Sequence, residues 1–184
     1  MTEAPPSLPS QPGFWSAMAR SLRLDSSLFD QVEHNPLSLA HASWIVLLAG
    51  VARGVYGVPT EGPAALVGSL AGAIVLWFVA SGVITLVGVR WFGGTTSFSE
   101  MLRTLGFAAA PLWLLAPGFF LQGDFHVALG ALVHLWAIAA AVVASRQALD
   151  VGTAQALGAC AVSIGLALFL LFLMGALGSY FSAG

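Results

Sequence analysis

The chain has 184 residues, of which 58% are apolar and 8% charged, with a net charge of −2 and no lysine. Soluble domains carry roughly a quarter charged residues, so this composition cannot cover a water-facing surface. It also lacks the basic footprint that nucleic-acid binding requires, and no nucleic-acid partner is expected.

The spacing of the charges decides the class. Charge-free runs extend from His34 to Ala52, Gly62 to Val89, Thr104 to Gly123, Phe125 to Ser145 and Val151 to Gly184. Each is near or above the ~20 residues of a spanning helix. None alternates in polarity as a transmembrane strand does. The expected fold is an all-α integral membrane protein: a five-helix transmembrane bundle with a kinked third span and a short N-terminal interfacial helix. The lone Cys160 falls in the last run, which excludes an internal disulfide.

Met1 to Gly13 carries Pro5, Pro6, Pro9 and Pro12 among small polar residues, a composition expected to stay disordered. It lacks a basic region followed by a short apolar one, so the first span is expected to act as its own uncleaved targeting signal. Residues 14–36 form a second segment, on the same side as the tail. Phe14, Trp15, Met18 and Leu22 recur at helical spacing with Arg20 and Arg23 among them. That pattern suits a helix lying in the membrane interface, or a frayed connector. Ser27 and Asp30 resemble a capping box for a short helix that stops before Pro36. Leu28, Phe29 and Val32 share one face of it, to rest on the bundle or on headgroups.

The five spans occupy residues 37–184. In the first, about Ala40 to Val58, seven Ile, Val and Leu residues each favour insertion by about 0.3–0.6 kcal/mol. Arg53 opposes them by up to about 3 kcal/mol, so neighbouring helices should help to hold this span. Pro59 and Pro63 flank a turn into the second span, about Ala64 to Val89, which is long enough to tilt. Ser97 and Glu100 read as the capping box of the third helix. Pro111 removes a backbone donor and clashes with the carbonyl of Phe107, which predicts a kink there. The freed carbonyl must then find a neighbouring helix or water. Pro117-Gly118 should weaken the helix again. The fourth span covers about Phe125 to Ser145, and Arg146 and Asp150 are spaced to pair across the next connection. Thr153 is placed to cap the fifth span, about Ala154 to Phe181.

Arg20, Arg23, Arg90, Arg103 and Arg146 fall on one side of such a bundle and only Arg53 on the other. The positive-inside rule then places the N-terminus in the cytoplasm and the C-terminus outside.

Few residues suggest chemistry. Gly50-x-x-x-Gly54, Gly68-x-x-x-Gly72 and Ala161-x-x-x-Gly165 suit close packing of spans, or an oligomer contact. Arg53 can snorkel to water or pair with Glu61 or Asp124. Alternatively, Arg53, Glu61, Asp124 and His126 form an outward polar cluster for an anion or a partner loop. His134, mid-span, is of a type that relays protons or binds metal. With no second ligand at helical spacing and no carboxylate within a span, it reads as a neutral histidine bonded to a neighbouring helix. No nucleophile–base order, metal-ligand spacing or phosphate loop occurs, so no cofactor, metal or catalytic residue is expected.

The chain resembles the Yip family of Ypt/Rab-interacting multispan membrane proteins, particularly its bacterial members. The resemblance rests on Phe29-Asp-Gln-Val-Glu33-His-Asn-Pro36 and on Leu102-Arg-Thr-Leu-Gly106-Phe-Ala-Ala-Ala-Pro111. It continues with Leu135-Trp136 and with Arg146-Gln-Ala-Leu-Asp150-x-x-Thr153-x-x-Ala156-Leu157, covering about Leu28 to Gly178. It implies five spans with a cytoplasmic N-terminus and a role without catalysis. Eukaryotic relatives act in vesicle trafficking by binding prenylated small GTPases and one another. Their aspartate-leucine-tyrosine-glycine-proline motif does not occur here, so a small GTPase is not an expected partner. The absence of lysine beside abundant Ala, Gly and Arg matches a bacterium of high genomic GC, which points to the plasma membrane.

The leading expectation is a scaffold or adaptor for membrane proteins or lipids, with self-association a further option. Its structural residues are Gly106 and Pro111, shaping the kink, with Pro117, Arg103, Arg146 and Asp150. The alternative is a small transporter or channel along the Pro111/Pro117 helix, lined by Arg53 and His134, since discontinuous helices often build solute sites.

Overall fold

The computed structural model describes residues 12–182, so the expected tail lies outside the described residues apart from Pro12 and Gly13. The elements in order are α1 (Phe14–Leu22), α2 (Ser26–Glu33), α3 (Ser38–Glu61), α4 (Ala64–Phe92), α5 (Phe98–Ala108), a 3-10 helix (Ala110–Phe120), α6 (Gly123–Leu149) and α7 (Thr153–Ser182). Helices α3, α4 and α6, the combined segment Phe98–Phe120 and the Thr153–Leu170 part of α7 are each long and apolar enough to cross a membrane. The protein is an all-α, five-span integral membrane protein.

The third span, Phe98–Phe120, is the central post. In its most apolar stretch 61% of residues are buried, against 17% for α4 and 28% for α6. It packs on α3, α4 and α6, while α4 and α7 lie toward the outside. Gly106 lets it approach α3: a Cβ there would lie 2.6 Å from the Cβ of Ala42. Gly50 and Gly54 do the same for α3 against α4, meeting Leu70 and Leu66. Gly68, Gly72 and Gly165, by contrast, face open space, so those small-residue motifs are not internal seams.

The expected box at the head of this span is present. Ser97 Oγ accepts from Glu100 N–H, and Ser97 N–H donates to Glu100 Oε2 at 2.7 Å. The break near Pro111 is more than a kink. The α-helix ends at Ala108 and the chain continues as a 3-10 helix through Phe120. Such helices rarely exceed a few residues; at about 2.0 Å rise per residue this one of 11 is about 22 Å long. Pro117 does not end it. Proline likewise fails to end α3, where Pro59 is carried within the last turn and the helix stops at Gly62, φ 78°.

The carbonyl of Phe107, which Pro111 leaves without its i+4 donor, accepts from a main-chain N–H at the helix end and also from Ser21, whose Oγ donates to it at 2.6 Å. Ser21 belongs to α1, so this bond brings the segment before the spans into the bundle. Ala17 and Ser21 of α1, and Leu28, Phe29, Val32 and Glu33 of α2, are buried. Ala17, Leu28, Phe29 and Val32 form one apolar cluster with Phe107, Ala108, Ala140 and Ala144. The link between α1 and α2 turns sharply at Leu24, φ 56°, a left-handed conformation rare for a branched side chain. Asp25, not Ser27, caps α2: its Oδ1 accepts from Ser27 N–H at 3.0 Å. Arg20 donates through Nε to Asp25 Oδ2 at 2.7 Å and holds that carboxyl at a pKa of about 2.

Ser21→Ala removes the side-chain donor to a buried carbonyl that keeps its main-chain partner at the helix end, and should lower stability by about 0.5–1.5 kcal/mol. Pro111→Ala restores the missing N–H, so the same serine change in that background should cost markedly less. A double-mutant cycle in thermal unfolding of detergent-solubilised protein measures the difference; additive losses would contradict the link.

Candidate functional site

Polar side chains gather at the two ends of the bundle. At the end that holds most of the arginines, Arg103 reaches out of the third span to the last turn of α2. Its Nε donates to the carbonyls of Val32 at 3.2 Å and Glu33 at 3.1 Å, and its Nη2 donates to the Glu33 carbonyl as well. The last carbonyls of a helix have no partner within it and carry partial negative charge, so a buried cation is favourable there. Arg103 therefore acts as a clamp on α2. Together with the Ser21 bond, it ties both leading helices to the central post.

Beside the clamp lies a carboxylate that it does not neutralise directly. Glu33 is 7% exposed, and its Oε2 is buried without a hydrogen bond. Its Oε1 lies 3.4 Å from Nδ1 of the exposed His34, which donates to the Asp30 carbonyl at 2.9 Å. Burial pushes the Glu33 pKa up to about 7; Asp30, Asp150 and Glu100 add to the rise and His34 opposes it. His34 is itself raised, first by its bond to the Asp30 carbonyl. One oxygen or nitrogen from each of Asp30, Glu33 and His34 lies within 4.8 Å of the others.

Arg146 and Asp150 lie at this end but do not pair. Arg146 Nη2 donates to Gln147 Oε1 at 3.2 Å, and Asp150 Oδ2 accepts from Thr95 Oγ1 at 3.4 Å. The reason is backbone geometry: Asp150 is the left-handed C-cap of α6, φ 54°, so the i,i+4 register fails at its last position. The connection is held instead by Leu149, whose carbonyl accepts from Thr95 N–H at 3.0 Å.

At the opposite end the organiser is Tyr56, which no motif in the sequence marks out. Its ring stacks on His126 at 3.9 Å and its hydroxyl donates to the His126 carbonyl at 2.8 Å. Gly118 and Gly130 form the slot for it: a Cβ at Gly130 would lie 2.3 Å from the tyrosine oxygen. Arg53 sits over the same ring at 5.7 Å and donates from Nη2 to Glu61 Oε1 at 3.2 Å. The expected Arg53–Glu61 pair is thus formed, and His126 joins it through Tyr56, while Asp124 stands exposed in the first turn of α6. The visible signal was Tyr56 three residues after Arg53, which puts both on one helix face.

His134 turns away from both groups. It is exposed on α6 and its Nδ1 donates to the Gly130 carbonyl of its own helix at 2.7 Å, rather than to a neighbouring helix. Within the third span Pro111 is buried and Pro117 exposed, and Trp113 donates to the Ile45 carbonyl of α3 at 3.0 Å.

The Glu33 environment fixes a pH dependence. Its folded pKa lies above the ordinary 4.5, so the folded state holds the proton more tightly than the unfolded one. Stability contributed by this group is complete below about pH 4.5 and falls as pH rises toward about 7. His34, also raised, acts in the same direction. In metal-free buffer, Glu33→Gln should flatten the fall in melting temperature between pH 5 and pH 8, by roughly the effect of one titrating group. A fall as steep as in the wild type would contradict this.

The family model described as the Yip1 domain matches residues 21–176, more than four-fifths of the chain. No curated protein and no solved structure matches it. The match begins at Ser21 and takes in Arg103, Gly106 and Pro111, so it includes both contacts that bind the leading helices to the spans. The chain belongs to the Yip family of multispan membrane proteins.

Proposed function

We propose that this protein is a non-enzymatic membrane scaffold, which holds a helical pair at the cytoplasmic surface of a bacterial plasma membrane for another membrane protein to engage. The observation that carries the reading is the double attachment of α1 and α2 to the third span, through Ser21–Phe107 and through Arg103 with the last carbonyls of α2. A central span that commits a buried arginine and a broken helix to fixing two short helices serves presentation. Asp30, Gln31 and His34 remain exposed on the presented pair. The arginine distribution supports a cytoplasmic N-terminus.

Transport is less well supported. Its two candidate path residues are engaged elsewhere, Arg53 with Glu61 and His134 with the Gly130 carbonyl on the outside of α6. Small-GTPase binding is not part of the proposal, since the motif used by eukaryotic relatives is missing.

Extraction from native membranes into lipid nanodiscs, followed by native mass spectrometry, should return a stoichiometric protein partner. Arg103→Ala should lose that partner while helical circular dichroism persists. A lone protein or homo-oligomer retaining a small solute would overturn the reading. A second readout concerns His134: in a Cys160→Ala background, His134→Cys should stay inert to water-soluble thiol reagents. Rapid labelling there would move the weight to a water-filled path.

A further inference from the structure

The last turn of α2 is electrostatically incomplete. Asp30 and Glu33 place two carboxylates at the negative end of a helix, and that turn has no basic residue of its own. Helix C-termini favour cations. Arg103 satisfies the main-chain carbonyls there, yet Glu33 Oε2 stays buried without a partner. A carboxylate oxygen held from water in this way costs free energy unless something charged or hydrogen-bonding meets it.

The neighbouring groups are those that would complete such a site. Asp30, Glu33 and His34 lie one helical turn apart, with one ligand atom from each within 4.8 Å of the others. In a tetrahedral zinc site, bonds of about 2.0–2.2 Å separate ligand atoms by about 3.4 Å. The three side chains therefore need to draw in by about an ångström. Asp30 and His34 are exposed and can do so, His34 through Nε2 or by giving up its Nδ1 bond to the Asp30 carbonyl, while Glu33 is held in place by the packing of α2. Glu100 and Asp150 lie near enough to add negative potential around Glu33. The donor set, one imidazole and two carboxylates without a thiolate, suits a divalent first-row cation.

We propose that Asp30, Glu33 and His34 form a binding site for a divalent transition-metal cation of the zinc class, with water completing the coordination. Glu33 is the fixed, inner ligand and the two exposed side chains close over the ion. Occupancy would supply a counter-charge to the Asp30 and Glu33 carboxylates, beyond the one Arg103 brings to the main-chain carbonyls, and stiffen the surface on which Asp30 and His34 stand. The site does not depend on the scaffold reading, because it concerns binding alone.

The test is isothermal titration of zinc chloride into full-length, chelator-stripped protein in lipid nanodiscs, with a parallel melting curve. One zinc per chain and a raised melting temperature are expected. Loss of an outer partner of a metal ligand costs about 10–100-fold in affinity, so loss of a direct ligand should weaken binding by about a hundredfold or more. Glu33→Gln should show that loss. His34→Ala should show it too, and this exposed position keeps the test valid if the buried change disturbs folding. Absence of binding to the wild type, or binding equal in both variants, overturns the proposal.

Discussion

The structure turns on one backbone carbonyl. In a membrane every main-chain polar group needs a partner within the protein, because lipid offers none. Pro111 denies the Phe107 carbonyl its i+4 donor; the tighter turn past Ala108 supplies a main-chain N–H, and Ser21 adds a second donor from outside the spans. The consequence is architectural: the bond from Ser21 fixes the segment before the first span against the third. The apolar cluster that joins Ala17, Leu28 and Phe29 to Phe107 and Ala140 follows from that placement. Arg103 adds the polar half of the joint at the far end of α2.

The same constraint explains why the third span is central. A helix that changes from α to 3-10 winding is short of good hydrogen-bond geometry and needs neighbours on all sides. Gly106 allows α3 to approach it closely, and Trp113 and Trp77 bond across to α3 and from α4. At its far end, Gly118 and Gly130 leave room for Tyr56, which links three helical segments through one ring. The outer helix α4 and the Thr153–Leu170 part of α7 can meet lipid over most of their surface.

Much of this was legible in the sequence, and the misses share a cause. Charge-free runs place the spans because the cost of burying charge in lipid dominates everything local. The Ser97–Glu100 box and the Arg53–Glu61 pair are likewise local and visible. What failed depended on backbone direction at an element's end. Asp150 sits in a left-handed C-cap and so cannot meet Arg146, and Leu24 does the same before Asp25, shifting the cap of α2 away from Ser27. A second group of misses depended on partners distant in sequence. Nothing near Ser21 names Phe107, and nothing near Tyr56 names Gly118 or Gly130. Pro111 announced a need for a donor without saying who would provide it.

Hydrogen–deuterium exchange in lipid nanodiscs tests the central claim, that α1 and α2 are built into the bundle through the third span. In the wild type, amides of residues 26–33 should be protected to a degree comparable with those of the third span. Arg103→Gln should release protection in α2 while residues 98–120 keep theirs. Rapid exchange of α2 in the wild type, or no change on losing Arg103, would contradict the account.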